Sequence, residues 1–209
     1  MPATLSIAAV SKSYAGPPLF SALTFTVGPG VTAVTGPNGS GKTTLVKILA
    51  GLLPPSSGAV QCVNDGRELT GDERRLAVGW AGPDLAFYED FTAEENLRFF
   101  RRAAGRPYDA KDARRRLGDT GLSGPALSRR VGEFSTGMRQ RLRLVFEALF
   151  DPPILLLDEP TLGLDPEGHA AAARLVAAHR ESGCVLVASN DERDFVSPDQ
   201  VIPLGGTRK

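Results

Sequence analysis

The sequence is short of most features that fix a small secreted, membrane or nucleic-acid-binding fold. Two cysteines, Cys62 and Cys184, stand far apart in 209 residues; they lack metal-ligand spacing and suit a reducing cytosol. No apolar run approaches the roughly 18 residues that a membrane-spanning helix needs. Residues 1–10 have neither the basic flank nor the long apolar core of a secretory signal, so a cytoplasmic chain is expected. Aromatic residues make up only 7% of the total, which leaves little for a base-stacking platform. Glycine (23) and proline (16) fall short of a low-complexity composition. Net charge is absent as well: 24 Lys and Arg face 24 Asp and Glu. What is present is a chain with 42% hydrophobic residues. It is long enough for one domain with an embedded subdomain, and at this size about 70% of the unfolded surface can be buried without a disulfide or metal.

The neutrality is uneven. From Arg98 to Arg143 there are twelve Arg and one Lys against Asp109, Asp112, Asp119 and Glu133, a local charge of +9 balanced by −9 elsewhere. Such a band is a set of solvated helix faces, a nucleic-acid surface or a docking surface, and charge alone does not choose between them.

The order of elements predicts an α/β chain. Leu5, Ile7 and Ala9 alternate with polar or small residues, as do Leu23, Phe25 and Val27, giving two early strands. A short strand over 31–35 runs into a glycine-rich loop, and a helix follows over 43–50. Asn64-Asp65-Gly66 marks a turn between strands. The middle is helical: Thr92 and Glu95 form a capping box, Leu97, Phe99, Phe100 and Ala103 supply an apolar face, and further helices are expected over 109–117 and 136–150. The run Ile154-Leu155-Leu156-Leu157 reads as a strand covered on both faces. Asp165-Pro166 opens a helix with an N-cap and a proline at its first position, and Cys184–Ala188 is another buried strand, with little expected after it. Strand–loop–helix units at both ends, with helices between, predict a nucleotide-binding core over about 1–82 and 150–209 and a helical insertion over about 83–149, all in one domain.

Two motifs carry chemistry. Gly36-Pro37-Asn38-Gly39-Ser40-Gly41-Lys42-Thr43 fits the phosphate-binding loop G-x-x-x-x-G-K-[ST] between a strand and a helix. Glycines let successive backbone N–H groups turn towards phosphate, and the helix N-terminus adds positive potential. Lys42 is expected on the β- and γ-phosphates and Thr43 on Mg²⁺, with Thr44 among the ATP-binding residues. The second motif is the acidic end of the buried strand, where Asp158 can hold Mg²⁺ and Glu159 can polarise an attacking water.

A third motif, Phe134-Ser135-Thr136-Gly137-Met138 followed by Arg139-Gln140-Arg141, resembles the signature of ATP-binding cassette (ABC) proteins. The chain is thereby identified as similar to the ATP-binding subunits of ABC transporters over nearly its whole length. The resemblance implies a P-loop ABC ATPase fold with an antiparallel β subdomain and a helical insertion. It places Tyr14 on adenine, Glu159 as general base and Asp158 beside Mg²⁺. Ser135, Thr136, Gly137 and Met138 are placed on the ATP of a second cassette, and Asp165 at the contact between protomers. It also implies partners: a second ABC ATPase subunit, identical or not, and an integral-membrane permease on whose inner face the chain would sit, with no nucleic acid. The compact length and the segment Asp90-Phe91-Thr92-Ala93-Glu94-Glu95-Asn96-Leu97 are similar to exporter-type cassettes, the haem exporter among them. Two positions depart from the family. Pro83 stands where a glutamine usually senses metal and permease, with Asp84 as a substitute metal contact, and Asn190 stands where a histidine usually meets the γ-phosphate. An alternative that follows is an ATP-gated regulatory or non-transport ABC protein with weak hydrolysis.

Overall fold

A computed structural model describes residues 3–195 and 197–205; the ends of the expected 1–209 domain, and Val196, lie outside the described residues. Two sheets form. Strands β1 (Thr4–Lys12), β2 (Phe20–Val27), β4 (Ser57–Asn64) and β5 (Arg67–Leu69) make an antiparallel sheet in the order β2-β1-β4-β5. Strands β3 (Gly30–Thr35), β6 (Val78–Ala81), β7 (Ile154–Asp158), β8 (Cys184–Ala188) and β9 (Gln200–Pro203) make a parallel sheet in the order β6-β7-β8-β3-β9. The sequence pattern predicts little after β8. A further strand, β9, pairs with β3, held in part by the Asp199 carboxylate accepting from Val31 N at 2.8 Å.

The apolar run of β7 divides by parity, as a strand must when both faces are covered. Ile154 and Leu156 pack with Leu45, Val46 and Leu49 of α1 (Lys42–Leu49) and with Leu5 and Ile7 of the antiparallel sheet. Leu155 and Leu157 pack with Ala172 and Val176 of α6 (Pro166–Arg180). Helix α2 (Gly71–Ala77), not anticipated, leads into β6.

A separate core joins α3 (Ala93–Ala103), α4 (Ala110–Asp119) and α5 (Thr136–Leu149) through the fully buried Leu97, Leu117 and Leu142, each such side chain contributing roughly 1.5–3 kcal/mol. The capping box at Thr92 and Glu95 forms, with Thr92 N donating to Glu95 Oε2 at 2.8 Å and Glu95 N to Thr92 Oγ1 at 3.2 Å. The expected apolar face of α3 is only half internal. Leu97 is buried, but Phe99 is 42% exposed and Ala103 is exposed. Phe99 packs edge-on against Tyr88, with Phe91 beside both, in a surface aromatic cluster.

The basic band is largely spent inside the helical region. Arg101 Nη1, Arg106 Nη1 and Arg116 Nη1 donate to the carbonyls of Leu149, Phe150 and Ala148 at 2.7, 2.8 and 2.9 Å. Three cations thus close the C-terminus of α5, where unpaired carbonyls and the helix dipole favour them. Arg114 pairs with Glu94, and Arg115 with Asp112 and Asp119. Among the described residues, the side chains of Arg98 and Arg102 make no hydrogen bond or ion pair; they border the exposed groove with Phe91 and Phe99. Among those residues, no helix is long and apolar enough to cross a membrane.

Candidate nucleotide site

Four segments singled out in the sequence each follow the C-terminal end of a parallel strand. The glycine-rich loop follows β3, the loop with Pro83 follows β6, Glu159 follows β7, and Ser189-Asn190-Asp191 follows β8. In open α/β sheets this edge is where ligands bind, and β7 and β8 are adjacent.

The loop from Gly36 to Gly41 needs its glycines. At Gly36, with φ +151°, a Cβ would meet the Leu204 carbonyl, and Ser40 Oγ at 2.8 Å. At Gly41, with φ +100°, it would meet Leu19 at 2.7 Å. The loop is therefore floored by the chain leaving β9 and walled by the β1–β2 connection. Tyr14 lies in that connection, 62% exposed, with Lys12 Nζ 5.2 Å from its ring centre. Pro37, Asn38, Gly39 and Ser40 form the loop itself, and Lys42, Thr43 and Thr44 open α1.

Lys42 is buried. Its Nζ donates to Gly36 O at 2.8 Å and Pro37 O at 3.4 Å, and lies 3.5 Å from Glu159 Oε1. The other oxygen, Glu159 Oε2, accepts from Ser189 Oγ at 2.9 Å. Glu159 has φ +48°, a conformation that costs a non-glycine residue about 1–3 kcal/mol unless the surroundings hold it. Its N–H donates to Ala188 O at 2.8 Å, and its carbonyl accepts from Gln140 Nε2 at 3.2 Å. Asn190 Nδ2 donates to Asn38 Oδ1 at 3.0 Å, joining the loop after β8 to the phosphate-binding loop.

Asp158 is 1% exposed, and neither carboxylate oxygen makes a hydrogen bond of ordinary geometry, with the Thr43 side chain close by. Burial first, and Glu159 beside it, push its carboxyl above the usual range, against the opposing pull of Thr43, Lys42 and Lys47. A buried carboxylate left unpaired is costly. With the Thr43 hydroxyl near it, it has the hard oxygen donors that Mg²⁺ takes alongside phosphate and water. The residues present therefore fit that ion. Asp84, expected as a possible metal contact, is committed instead to an ion pair with Lys47.

Of the segment expected to meet a second cassette, Ser135 and Thr136 are exposed, while Gly137 and Met138 are half-buried and Met138 packs on the helical core. Ser135 Oγ accepts from Met138 N at 3.2 Å and so caps α5, with Thr136 and Gly137 in its first turn. Asp165 caps α6 by accepting from Gly168 N at 2.8 Å and pairs with Arg141 Nη2 at 2.6 Å. Between them Leu162 projects at 66% exposure, while Thr161 Oγ1 is buried against the Asp194 carboxylate. Arg139, which follows the signature motif, pairs with Glu89 at 3.3 Å. Arg143, at the end of the basic band, donates to backbone carbonyls and to Gln140. No local sequence pattern signals the Ser189 and Gln140 contacts to Glu159.

The family model described as ABC transporter matches residues 20–162. The chain is 37% identical over 175 residues to the cytochrome c biogenesis ATP-binding export protein CcmA of Mesorhizobium japonicum, covering 83% of this chain and 85% of that one. It is 34% identical over 204 residues to the uncharacterized ABC transporter ATP-binding protein YxlF of Bacillus subtilis, covering 95% of this chain and 66% of that one. It spans 34% and 23% of the length of two larger relatives. Among solved structures, one titled as the ATP binding subunit of an ABC transporter superposes with a TM-score of 0.80 at 28% identity, covering 96% of this chain and 85% of that chain.

Proposed function

The chain belongs to the ABC transporter family, and from that premise we propose that it is an ATP-hydrolysing cassette that closes around ATP with a second ABC ATPase subunit and drives a separate membrane permease. The observation that carries the reading is the convergence of Lys42, Asp158 and Glu159. A buried cation, a buried unpaired carboxylate and a second carboxylate meet at the ends of β3 and β7. Lys42 and the N–H groups of the loop bind the β- and γ-phosphates. Thr43 and Asp158 hold Mg²⁺, which neutralises phosphate charge when bound. Glu159, its carboxylate fixed by Ser189, accepts the proton of the attacking water. Asn190, tied to Asn38, offers an N–H donor to the γ-phosphate, a role that needs no protonatable group. Tyr14 supplies an exposed ring for adenine.

The phosphate-binding side is built by one chain and leaves the phosphates open on the far side. The exposed Ser135 and Thr136 at the start of α5, and the exposed Leu162, Gly163 and Asp165 after β7, suit the completing surface of a partner, which supports a dimer with Asp165 near the contact. Residues 1–82 and 150–209 act as the nucleotide-binding core and 83–149 as a helical subdomain within one domain. The aromatic cluster of Tyr88, Phe91 and Phe99, beside Arg98 and Arg102, supports docking of that subdomain on a permease at the inner face of a membrane. The relatives are ABC transporter ATP-binding proteins, which favours transport over a non-transport regulator, and the export protein among them supports export.

Phosphate release by the purified chain with MgATP tests the reading. Turnover that Glu159→Gln abolishes supports it; turnover equal in the two proteins overturns the assignment of Glu159. Co-purification with a multi-span membrane protein tests the partner.

A further inference from the structure

Two side chains on α5 join segments that are far apart in sequence. Gln140, 7% exposed, donates from Nε2 to the carbonyls of Glu159 at 3.2 Å and Pro160 at 2.8 Å. Its Oε1 accepts from Arg143 Nη1 at 3.1 Å. Arg143 in turn donates from Nη2 to Pro83 O at 3.0 Å and from Nε to Leu85 O at 3.3 Å. The guanidinium at one end of the amide and two carbonyls at the other fix its orientation, since the flipped amide would face donor to donor and acceptor to acceptor. Pro83 has no side-chain donor and no N–H, yet it takes part through its carbonyl.

The far end of this connection is the strained peptide of Glu159. Ala188 holds its N–H and Gln140 its carbonyl, and a left-handed residue persists only when held in this way. A planar fork that spans two carbonyls and a glutamine transmits their positions; a lysine at the same place reaches one acceptor at a time.

We propose that Arg143 and Gln140 are positioning residues, forming a relay that ties the backbone of Glu159, and with it the aim of its carboxylate, to the loop 82–85 after β6. This rests on the reading of Glu159 as general base. It gives that loop a route to the site that does not require a glutamine at position 83.

The test uses the purified full chain and four variants, Arg143→Ala, Arg143→Met, Arg143→Lys and Gln140→Ala, with the Arg143→Ala/Gln140→Ala double. Amide exchange at Glu159 and Leu162, both in the 159–162 turn, is expected to accelerate about tenfold in Arg143→Met and Arg143→Ala, although Arg143 donates only to Pro83, Leu85 and Gln140. Reciprocally, Gln140→Ala is expected to accelerate exchange at Leu85. Arg143→Lys does not restore protection. The kcat for MgATP falls roughly ten- to a hundredfold with KM within about twofold, and the double variant is no slower than the slower single. Unchanged exchange at 159–162 in both Arg143→Ala and Arg143→Met overturns the relay, as do additive losses in the double. Should Glu159→Gln leave turnover intact, the base assignment fails, and exchange still decides the relay.

Discussion

Lys42 and Glu159 face each other across the head of the parallel sheet, Nζ to Oε1 at 3.5 Å, with the lysine 6% and the glutamate 21% exposed. The cation that is to bind phosphate and the carboxylate that is to take a proton from water thus neutralise each other, and each is held by a second partner, Gly36 O and Ser189 Oγ. On the proposed reading, a triphosphate would take over the lysine and leave Glu159 to Ser189. The two residues are therefore expected to separate in a mutant pair. Glu159→Gln keeps nucleotide affinity within a few-fold and lowers turnover by 10²-fold or more, in the range of a lost general base. Lys42→Ala loses nucleotide affinity itself. Nucleotide titration and phosphate release separate the two, and equal loss of binding in both would oppose the division of roles.

Asp158 is expected to act against stability until Mg²⁺ arrives. Its oxygens are buried with no hydrogen bond of ordinary geometry and the Thr43 side chain near them, and an unsatisfied buried polar group costs about 1–3 kcal/mol, more when charged. Asp158→Asn, uncharged at the same volume, should raise the thermal midpoint of the chain in EDTA. The wild type should gain stability from Mg²⁺ with nucleotide, as a ligand of the native state must give, and the variant should gain much less. A lower midpoint for Asp158→Asn in EDTA would show that the carboxylate is satisfied by other means.

These two residues were legible from sequence because their signals are local. Eight consecutive residues spell the phosphate loop, and an apolar run ending in Asp158-Glu159 needs no knowledge of its neighbours. The caps at Thr92 and Asp165 were legible for the same reason. The fate of the arginines was not. Arg101, Arg106 and Arg116 read as a solvated or docking band, yet they reach carbonyls 48, 44 and 32 positions away, contacts that exist only once α3 and α4 pack on α5. Phe99 and Phe100 looked alike on a helical pattern, and that Phe99 is exposed while Phe100 is half-buried against the helical core depends on the rotation of α3 against α5. The left-handed backbone at Glu159 carries no residue-type signal, because glutamate rarely adopts it.

The link between Asn190 and Asn38 predicts a modest catalytic role for the asparagine. Asn190→Ala removes the 3.0 Å bridge and the donor expected on the γ-phosphate, and turnover should drop about ten- to a hundredfold with ATP affinity nearly kept. Asn190→His, which restores a donor, should recover at least the wild-type rate. Single-turnover hydrolysis is the measurement, and an alanine variant as fast as wild type would remove Asn190 from the site.

Closure of α5 by arginines predicts a stability effect without a catalytic one. Arg101 donates to Leu149 O at 2.7 Å and to Pro107 O, and its guanidinium lies 5.6 Å from the Phe150 ring centre. Arg101→Ala is expected to cost about 1–2 kcal/mol, because a charge-assisted bond and packing of the side-chain stem are lost together. Urea unfolding should show this as a lower midpoint at unchanged slope, while KM for ATP stays put. A variant of wild-type stability would mean that water replaces the guanidinium at no cost.

His179 should make stability fall as the solution turns mildly acidic. It sits in the last turn of α6, where the dipole favours a cation and where Asp151 and the Pro152 carbonyl also raise its pKa. Burial outweighs all of these and lowers the pKa below its ordinary value. The sign follows from linkage. Above about pH 6.5 the imidazole is neutral in both the folded and unfolded chains and contributes nothing. Below it the unfolded chain takes up a proton that the folded chain refuses, so stability is lost as pH falls from about 6.5 to the lowered folded value. His179→Gln, which has no such proton to take, should be less affected over the same interval. Urea midpoints of both proteins from pH 7.5 to 5.5 provide the check, because most carboxylates titrate lower and cancel in the difference. A difference that does not change with pH would mean that His179 protonates as readily in the fold as out of it.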